Sequence, residues 1–84
     1  MADGVRLCDL PVRVRADVQH VLGPPALRRR LLSLGLTPGS PLQILRRMPL
    51  GGPIELEVRG TLLALRRQDA CAVRVRARTH REDR

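Results

Sequence analysis

The sequence contains no phenylalanine, tryptophan or tyrosine, and all 16 of its basic residues are arginine. Because aromatic side chains are absent, the hydrophobic core must be built from leucine, valine, isoleucine, alanine and methionine. A chain of 84 residues predicts one small domain, and a domain of this size buries only roughly 60% of the surface of its unfolded chain. The same absence removes the stacking platforms that proteins binding single-stranded nucleic acid commonly use.

Long apolar segments are also missing. No apolar run approaches the ~18 residues of a membrane-spanning helix, and the first residues lack the apolar stretch of a signal peptide. The two cysteines, Cys8 and Cys71, do not make a disulfide framework. We therefore expect a cytoplasmic protein with reduced thiols, in which Cys71 packs as a small hydrophobe beside Ala70 and Ala72.

Charge of one sign is scarce. The sequence has 16 arginines and 8 acidic residues, which gives a net charge of +8. This excess attracts acidic partners, which include nucleic acid, the anionic inner face of a membrane and an acidic protein surface. The alternative interpretation is that the charge serves general solubility.

The segment from residue 27 to residue 39 predicts a short helix, its end and a tight turn. Leu27, Leu31 and Leu34 recur at the spacing that places side chains on one face of a helix. A helix of about ten residues is too short to be stable alone in water, so this leucine face must pack against other elements. We expect the three leucines to fill one open end of a small barrel.

Glycine and proline define how that helix ends. Gly35 stands where a residue with a left-handed backbone terminates a helix, and Leu36 is then placed to fold back onto Leu31. Pro38 and Gly39 are typical of a type II turn, because proline presets φ at the second position and glycine supplies a positive φ at the third. These residues are therefore interpreted as structural.

Alternating apolar and polar residues predict about five short strands. The segments with this pattern are residues 13–18, 42–48, 54–59, a stretch after residue 61, and 73–76. Together with the one inserted helix they predict a mainly β fold, a strongly bent antiparallel sheet or small barrel. We expect the domain to cover residues 7–77, between a flexible segment, residues 1–6, and a disordered tail, residues 78–84.

A tight hairpin is predicted at Gly60 and Thr61, with glycine at the first central position of a two-residue loop. A loop at these residues sets the register of the two strands that it joins. It would place Val58 opposite Leu63.

Two motifs at a fixed separation carry a family resemblance. The first is Leu31-x-x-x-Gly35-Leu36-x-Pro38-Gly39, and the second is the loop Pro49-Leu50-Gly51-x-Pro53. Further matching positions extend over residues 7–75, among them Gly60 and Ala70-x-x-Val73-x-Val75. Each piece alone is weak, but together at this spacing they resemble ferrous iron transport protein A, the FeoA family of small SH3-like proteins.

The resemblance implies a fold, a role and a partner. The fold would be an SH3-like antiparallel barrel, and the role that of a cytoplasmic accessory or regulatory protein of bacterial ferrous iron uptake. The implied partner is a membrane ferrous iron transporter that carries a cytoplasmic GTP-binding domain, which would hold the protein at the inner membrane. No cofactor is required for such a role.

One position departs from the family pattern. The family usually has glycine near the start of the first strand, where this chain has Arg13. If that position needs a positive φ, an arginine there costs ~1 kcal/mol or forces a different local turn.

The loop tip Leu50, between Pro49 and Pro53, is the first candidate for a partner contact. Loops on rigid scaffolds often carry binding residues, and a leucine between prolines needs little ordering on binding. The alternative is that Leu50 folds back and caps the barrel.

The helix surface supplies the second candidate contact. Leu32 lies about 140° from Leu27 around the helix, away from the core-facing leucines. Beside Arg28 and Arg29 it would form a mixed apolar and basic patch. The alternatives are a single exposed leucine without a role and arginines that are merely solvated.

Metal binding is a possible function because the pathway that the resemblance implies handles Fe²⁺. No CxxC, HxH or HExxH spacing is present, so the sequence predicts no preformed site. His20 and His80 remain candidates for a surface Zn²⁺ or iron ion, which two molecules could share in a weak or metal-mediated homodimer. A purely structural His20 is the alternative.

The sequence offers no set of nucleophile, base and stabilising group, and no glycine-rich phosphate loop. We therefore expect no enzymatic activity. A basic barrel could instead bind nucleic acid through backbone phosphates, but without aromatic residues or a helix-turn-helix pattern no specific nucleic-acid partner is expected.

Overall fold

The computed structural model describes residues 4–78. Six strands, two α-helices and one 3₁₀ turn follow one another along this part of the chain. In order they are β1 (Val5–Arg6), a 3₁₀ turn (Leu7–Asp9), β2 (Ala16–Val21), α1 (Pro25–Ser33), β3 (Pro41–Arg47), β4 (Ile54–Val58), β5 (Thr61–Leu65), α2 (Arg67–Ala70) and β6 (Val73–Ala77). The predicted mainly β fold with one short inserted helix is confirmed, and α2 is an additional single helical turn.

All six strands form one antiparallel sheet in the order β1-β6-β2-β3-β4-β5. Register shifts interrupt the β2–β6 ladder between Val18 and His20 and the β3–β4 ladder between Ile44 and Arg46. Irregularities of this kind bend a strand and increase its twist, so they curl the sheet into a barrel. Within residues 4–78 no ladder joins β5 to β1, and these two strands are the edges of the sheet.

The core lies inside this curled sheet. Period-two alternation places one side of each strand inward, so that β4 buries Ile54, Leu56 and Val58 and half-exposes the two glutamates between them. Leu7, the first residue of the 3₁₀ turn, and Leu10, which follows the turn, are buried. The hydrophobic cluster is aliphatic apart from the two cysteines, as the absence of aromatic residues requires.

Helix α1 packs on the core through fewer leucines than expected. Leu31 is fully buried and Leu27 is partly buried against the core. Leu34 is 38% exposed, so its prediction as a core residue is wrong. The helix ends at Ser33, and Leu34 is the cap residue with φ −81° and ψ −2°. The backbone then reverses, and Leu36 takes the buried position instead.

This reversal is a Schellman motif. The backbone N–H of Gly35 donates to the carbonyl of Leu32 at 3.0 Å, and that of Leu36 donates to the carbonyl of Leu31 at 3.2 Å. Gly35 has φ +102°, which a residue with a side chain rarely adopts. The predicted roles of Gly35 and Leu36 are confirmed.

A type II turn follows. The N–H of Ser40 donates to the carbonyl of Thr37 at 2.9 Å, and Gly39 has φ +91°. Ser40 is fully buried, and its hydroxyl shares a 2.8 Å hydrogen bond with the Thr37 hydroxyl. The turn predicted at Pro38 and Gly39 is confirmed, and it delivers the chain into β3.

The predicted hairpin register is wrong by two residues. The two-residue loop is Arg59 and Gly60, both with positive φ, and it closes on the pair Val58 and Thr61. This is a type I′ turn, whose twist matches that of the flanking strands. Because the error is an even number of residues, each side chain of β5 lies on the predicted side of the sheet. Its cross-strand partner differs, so that Leu63 lies opposite Leu56 rather than Val58.

Two further expectations need correction. Val5 and Arg6, assigned to a flexible N-terminal segment, form β1 and pair with β6. The expected free thiols are absent, because Cys8 and Cys71 form a disulfide between the 3₁₀ turn and the segment after α2, with their Cα atoms 4.9 Å apart. Spatial proximity of residues 63 positions apart cannot be read from local sequence patterns. No helix within residues 4–78 is long and apolar enough to cross a bilayer.

Candidate functional site

Leu50 lies at the tip of the β3–β4 loop. The N–H of Gly52 donates to the carbonyl of Pro49 at 3.1 Å, and Leu50 and Gly51, between them, have φ +61° and +73°. These values define a type I′ turn. A second bond, from the N–H of Met48 to the carbonyl of Pro53 at 3.0 Å, closes the base of the loop. Two backbone hydrogen bonds, one across the tip and one at the base, thus close the loop.

The side chain of Leu50 is fully exposed to solvent. The alternative interpretation, that Leu50 folds back and caps the barrel, is therefore wrong. A left-handed backbone costs a leucine roughly 1–2 kcal/mol, and an exposed side chain offsets none of this cost by burial. Strain of this kind is often retained at functional positions, and it makes Leu50 the strongest candidate for a contact residue.

The surface of α1 carries the second candidate patch. Leu32 is 38% exposed, as predicted, and Arg28 and Arg29 are exposed beside it. The guanidinium of Arg28 donates to the carbonyl of Gly23 at 3.3 Å. Among residues 4–78, the side chain of Arg29 has no ion pair or hydrogen bond.

Arg30 differs from Arg28 and Arg29 because its side chain binds a residue of another helix. Its guanidinium donates to the Asp69 carboxylate at 2.9 Å, and the Asp69 side chain is only 11% exposed. The three consecutive arginines therefore divide into one that joins α1 to α2 and two that face solvent. Leu34, which was expected in the core, adds a second exposed leucine near the end of the helix.

The two candidate patches adjoin opposite ends of strand β3 along the chain. Helix α1 leads through the type II turn into the start of β3, whereas the Leu50 loop follows the end of β3. The seven residues of β3 span roughly 20 Å at a rise of about 3.4 Å per residue. Leu50 and Leu32 would therefore contact different parts of any partner.

Sequence reasoning missed a third apolar feature, on the outer face of β5. Leu62 is 69% exposed, and it lines a shallow groove of about 300 Å³ with Leu45 and Ala64. Leu62 lies opposite Glu57 on the solvent side of the sheet. The signal was present in the period-two pattern of β5, since Leu62 falls on the polar phase of that strand.

Within the described part of the chain, the structure builds no metal site around His20. His20 is exposed on β2 beside the register shift and pairs across the sheet with Arg74, whose charge disfavours a cation. Between residues 4 and 78 no three His, Cys, Asp or Glu residues converge. Both thiols are consumed by the disulfide, and His80 lies outside the described residues.

Two exposed ion pairs fix arginines on the outer face of the sheet. The Arg46 guanidinium donates to Glu55 at 2.7 Å, and a hydrogen bond and charge attraction raise the pKa of Arg46. Arg78 donates to the Asp17 carboxylate at 2.8 Å, which raises the pKa of Arg78 for the same two reasons. These pairs orient the arginines, but as exposed pairs they contribute little to stability.

Comparison with known proteins agrees with this architecture. The FeoA domain model matches residues 5–77. An iron uptake regulatory protein (FeoA) is 35% identical over 89% of this chain and 99% of its own, with a TM-score of 0.82. FeoA from Chlorobium tepidum is 44% identical over 87% of this chain and 70% of its own, with a TM-score of 0.80.

A third structure connects the fold with a metal. Stenotrophomonas maltophilia FeoA complexed with zinc is 32% identical, covers 89% of this chain and 91% of its own, and has a TM-score of 0.74. It is described as a prokaryotic SH3 domain protein and a candidate activating factor of bacterial ferrous iron transport. With the family match over nearly all of the described residues, the chain belongs to the FeoA family, the SH3-like accessory proteins of ferrous iron uptake.

Proposed function

We infer that this chain is a non-enzymatic cytoplasmic protein that binds the cytoplasmic GTP-binding part of a membrane ferrous iron transporter. Family membership supports a role in iron uptake, and the description of the zinc-complexed relative as an activating factor supports regulation of a transporter. The observation that carries the proposal is Leu50, a fully exposed leucine on a left-handed backbone at the tip of a loop closed by hydrogen bonds.

Leu50 suits a binding role because its ordering on binding costs little free energy and its burial contributes much. The closed turn already fixes the backbone, so little conformational freedom is lost when a partner covers the side chain. Full burial of a leucine contributes about 1.5–3 kcal/mol, which corresponds to an affinity change of about tenfold or more. The loop is therefore a preformed apolar knob that needs a complementary pocket.

The helix surface provides a second contact of different chemistry. Leu32 and Leu34 are apolar and half exposed, and Arg28 and Arg29 flank them with positive charge. Such a patch fits an acidic surface with an apolar centre, and the charges would accelerate association at low salt. Because it lies at the other end of β3, this patch would contact a separate region of the transporter domain.

The decisive experiment measures binding of this chain to the isolated GTP-binding domain of the transporter from the same organism. Leu50→Asn removes the apolar side chain but retains a residue that tolerates left-handed backbone. We expect it to weaken binding at least tenfold without loss of thermal stability. Leu22→Asn, the same change at another exposed leucine, is the matched control. Equal affinity of both variants and the parent would reject the Leu50 surface, and no binding by the parent would reject the function.

A zinc-bound relative favours a second candidate function, metal binding at the surface. The residue on this chain that could take part is His20, which supplies one imidazole and has Arg74 beside it. A transition metal needs further ligands, so a second molecule would have to supply them and a metal-dependent dimer would form. Sedimentation with and without Zn²⁺, on the parent and on His20→Ala, tests this. Identical monomeric behaviour in all samples would reject it.

A further inference from the structure

Four strand ends meet at one end of the sheet and bring three arginines together. Arg15 precedes β2 and Arg78 follows β6, and the N–H of Arg78 donates to the carbonyl of Arg15 at 2.8 Å. Arg59 follows β4, and its N–H donates to the carbonyl of Pro41 at 3.1 Å. Since β6, β2, β3 and β4 are consecutive neighbours in the sheet, the three arginines line one open cleft of about 190 Å³.

Two of these arginines are held in place by side chains. The Nε of Arg59 donates to the hydroxyl of the buried Ser40 at 3.1 Å, and among residues 4–78 its terminal nitrogens have no hydrogen-bond partner. Arg78 uses Nε and one terminal nitrogen to bind the Asp17 carboxylate, at 3.2 Å and 2.8 Å. A guanidinium that is already oriented loses less freedom when a ligand binds.

Positive charge predominates in the cleft. Arg15 has no side-chain hydrogen bond or ion pair with any residue that the structure describes. The one carboxylate that lines the cleft is Glu57, which accepts a 3.0 Å hydrogen bond from the Gln43 amide. The Asp17 carboxylate, which binds Arg78, adds a second negative charge. Three guanidinium groups therefore face two carboxylates, and the cleft keeps a net positive charge that attracts an anion.

We propose that this cleft binds a small phosphate-bearing anion. Guanidinium groups match phosphate oxygens in bidentate geometry, and several of them around one concavity are a typical phosphate site. The volume is below the ~300 Å³ at which pockets for drug-sized ligands begin, so the cleft fits a phosphate or diphosphate group rather than a whole nucleotide or a protein segment. The site is independent of the Leu50 loop and of the proposed transporter partner.

Calorimetric titration with inorganic pyrophosphate at low ionic strength tests the proposal. We expect saturable binding with one site per chain. Arg59→Gln and Arg15→Gln should each weaken it about tenfold or more, because each removes charge-assisted hydrogen bonds. Arg15→Lys, which keeps the charge but loses the planar fork, should fall between the parent and Arg15→Gln.

The matched control is Arg66→Gln, which removes the same charge from an exposed arginine outside the cleft. It should stay within about twofold of the parent. Far-UV circular dichroism and the midpoint of thermal unfolding establish that each variant is folded. Absence of saturable binding by the parent, or equal weakening by Arg66→Gln and Arg59→Gln, would overturn the proposal.

A second titration separates a small anion from a nucleic-acid backbone. Short single-stranded oligonucleotides of increasing length present the same phosphate chemistry as a polymer, and affinity that rises steeply with length would indicate an extended basic surface. That outcome would overturn a site confined to the cleft. Affinity for pyrophosphate equal to or above that for the longest oligonucleotide would support it.

Discussion

The Arg30 guanidinium and the Asp69 carboxylate, 39 residues apart, join α1 to α2 through a 2.9 Å hydrogen bond. Asp69 is nearly buried, whereas more than half of the Arg30 side chain is exposed. The arginine thus reaches from a solvated helix surface to cover a carboxylate that little water can reach. This contact anchors the inserted helix at a second point, beyond the leucines that face the core.

Removal of Arg30 should therefore destabilise the fold. Arg30→Ala leaves the Asp69 carboxylate without its partner, and we expect the free energy of unfolding to fall by about 1–2 kcal/mol. Arg29→Ala, one residue away and without a side-chain partner within the described residues, should change it by less than about 0.5 kcal/mol. Urea unfolding followed by circular dichroism measures both. Equal stabilities of the two variants would show that the ion pair contributes nothing.

Reduction of the disulfide should destabilise the protein strongly. Cys8 and Cys71 are separated by 63 positions, and the loop-entropy relation for a closed loop of this length gives about 4 kcal/mol. Urea unfolding with and without dithiothreitol measures the difference, and the variant Cys8→Ser/Cys71→Ser should match the reduced parent and ignore the reductant. Superimposable unfolding curves for reduced and oxidised parent would contradict the prediction.

A glycine at position 13 should stabilise the chain. Arg13 has φ +70°, which confirms that this position uses the left-handed region expected of the family's glycine. Relief of that conformation should raise the free energy of unfolding by about 1 kcal/mol, after allowance for the greater freedom of glycine in the unfolded state. Arg29→Gly, inside α1, is the control and should lower stability. A loss of stability in Arg13→Gly similar to that in the control would count against this account.

Truncation of a leucine on α1 should lower the free energy of unfolding more when that leucine is more deeply buried. Leu31 is fully buried and Leu34 is 38% exposed. Leu31→Ala should lower the free energy of unfolding by about 2–5 kcal/mol through lost burial and a cavity. Leu34→Ala should cost less than about 1 kcal/mol. Thermal and urea unfolding distinguish the two, and a large loss at Leu34 would restore the original assignment of this residue to the core.

Features determined by a few consecutive residues were predictable. The helix end at Gly35 and the turn at Gly39 follow from backbone preferences that glycine and proline impose locally, and the structure has both. The inward face of β4 follows from simple alternation of glutamate with aliphatic residues. In each case the residues that determine the conformation are also the residues that adopt it.

Features that depend on a choice between alternative turn positions, or on contacts between residues distant in the sequence, were not predictable. The hairpin loop is Arg59 and Gly60, not the predicted Gly60 and Thr61, because Arg59 adopts a left-handed backbone that residue preferences alone assign to glycine. Strand β1 exists because β6 offers it an edge, and the disulfide exists because the 3₁₀ turn meets the segment after α2. For the candidate site, the exposure of Leu50 could be proposed from the prolines around it, but its positive φ could not.

The disulfide also changes what happens when the chain is cut. Cys8 and Cys71 enclose every element from β2 to α2, so the oxidised polypeptide contains a covalent ring, and β1 and β6 lie outside it. A single proteolytic nick in the exposed loop between β3 and β4 opens the ring without releasing a fragment. The two halves part only on reduction, so a gel run with and without reductant reports whether the tip of that loop is accessible or shielded.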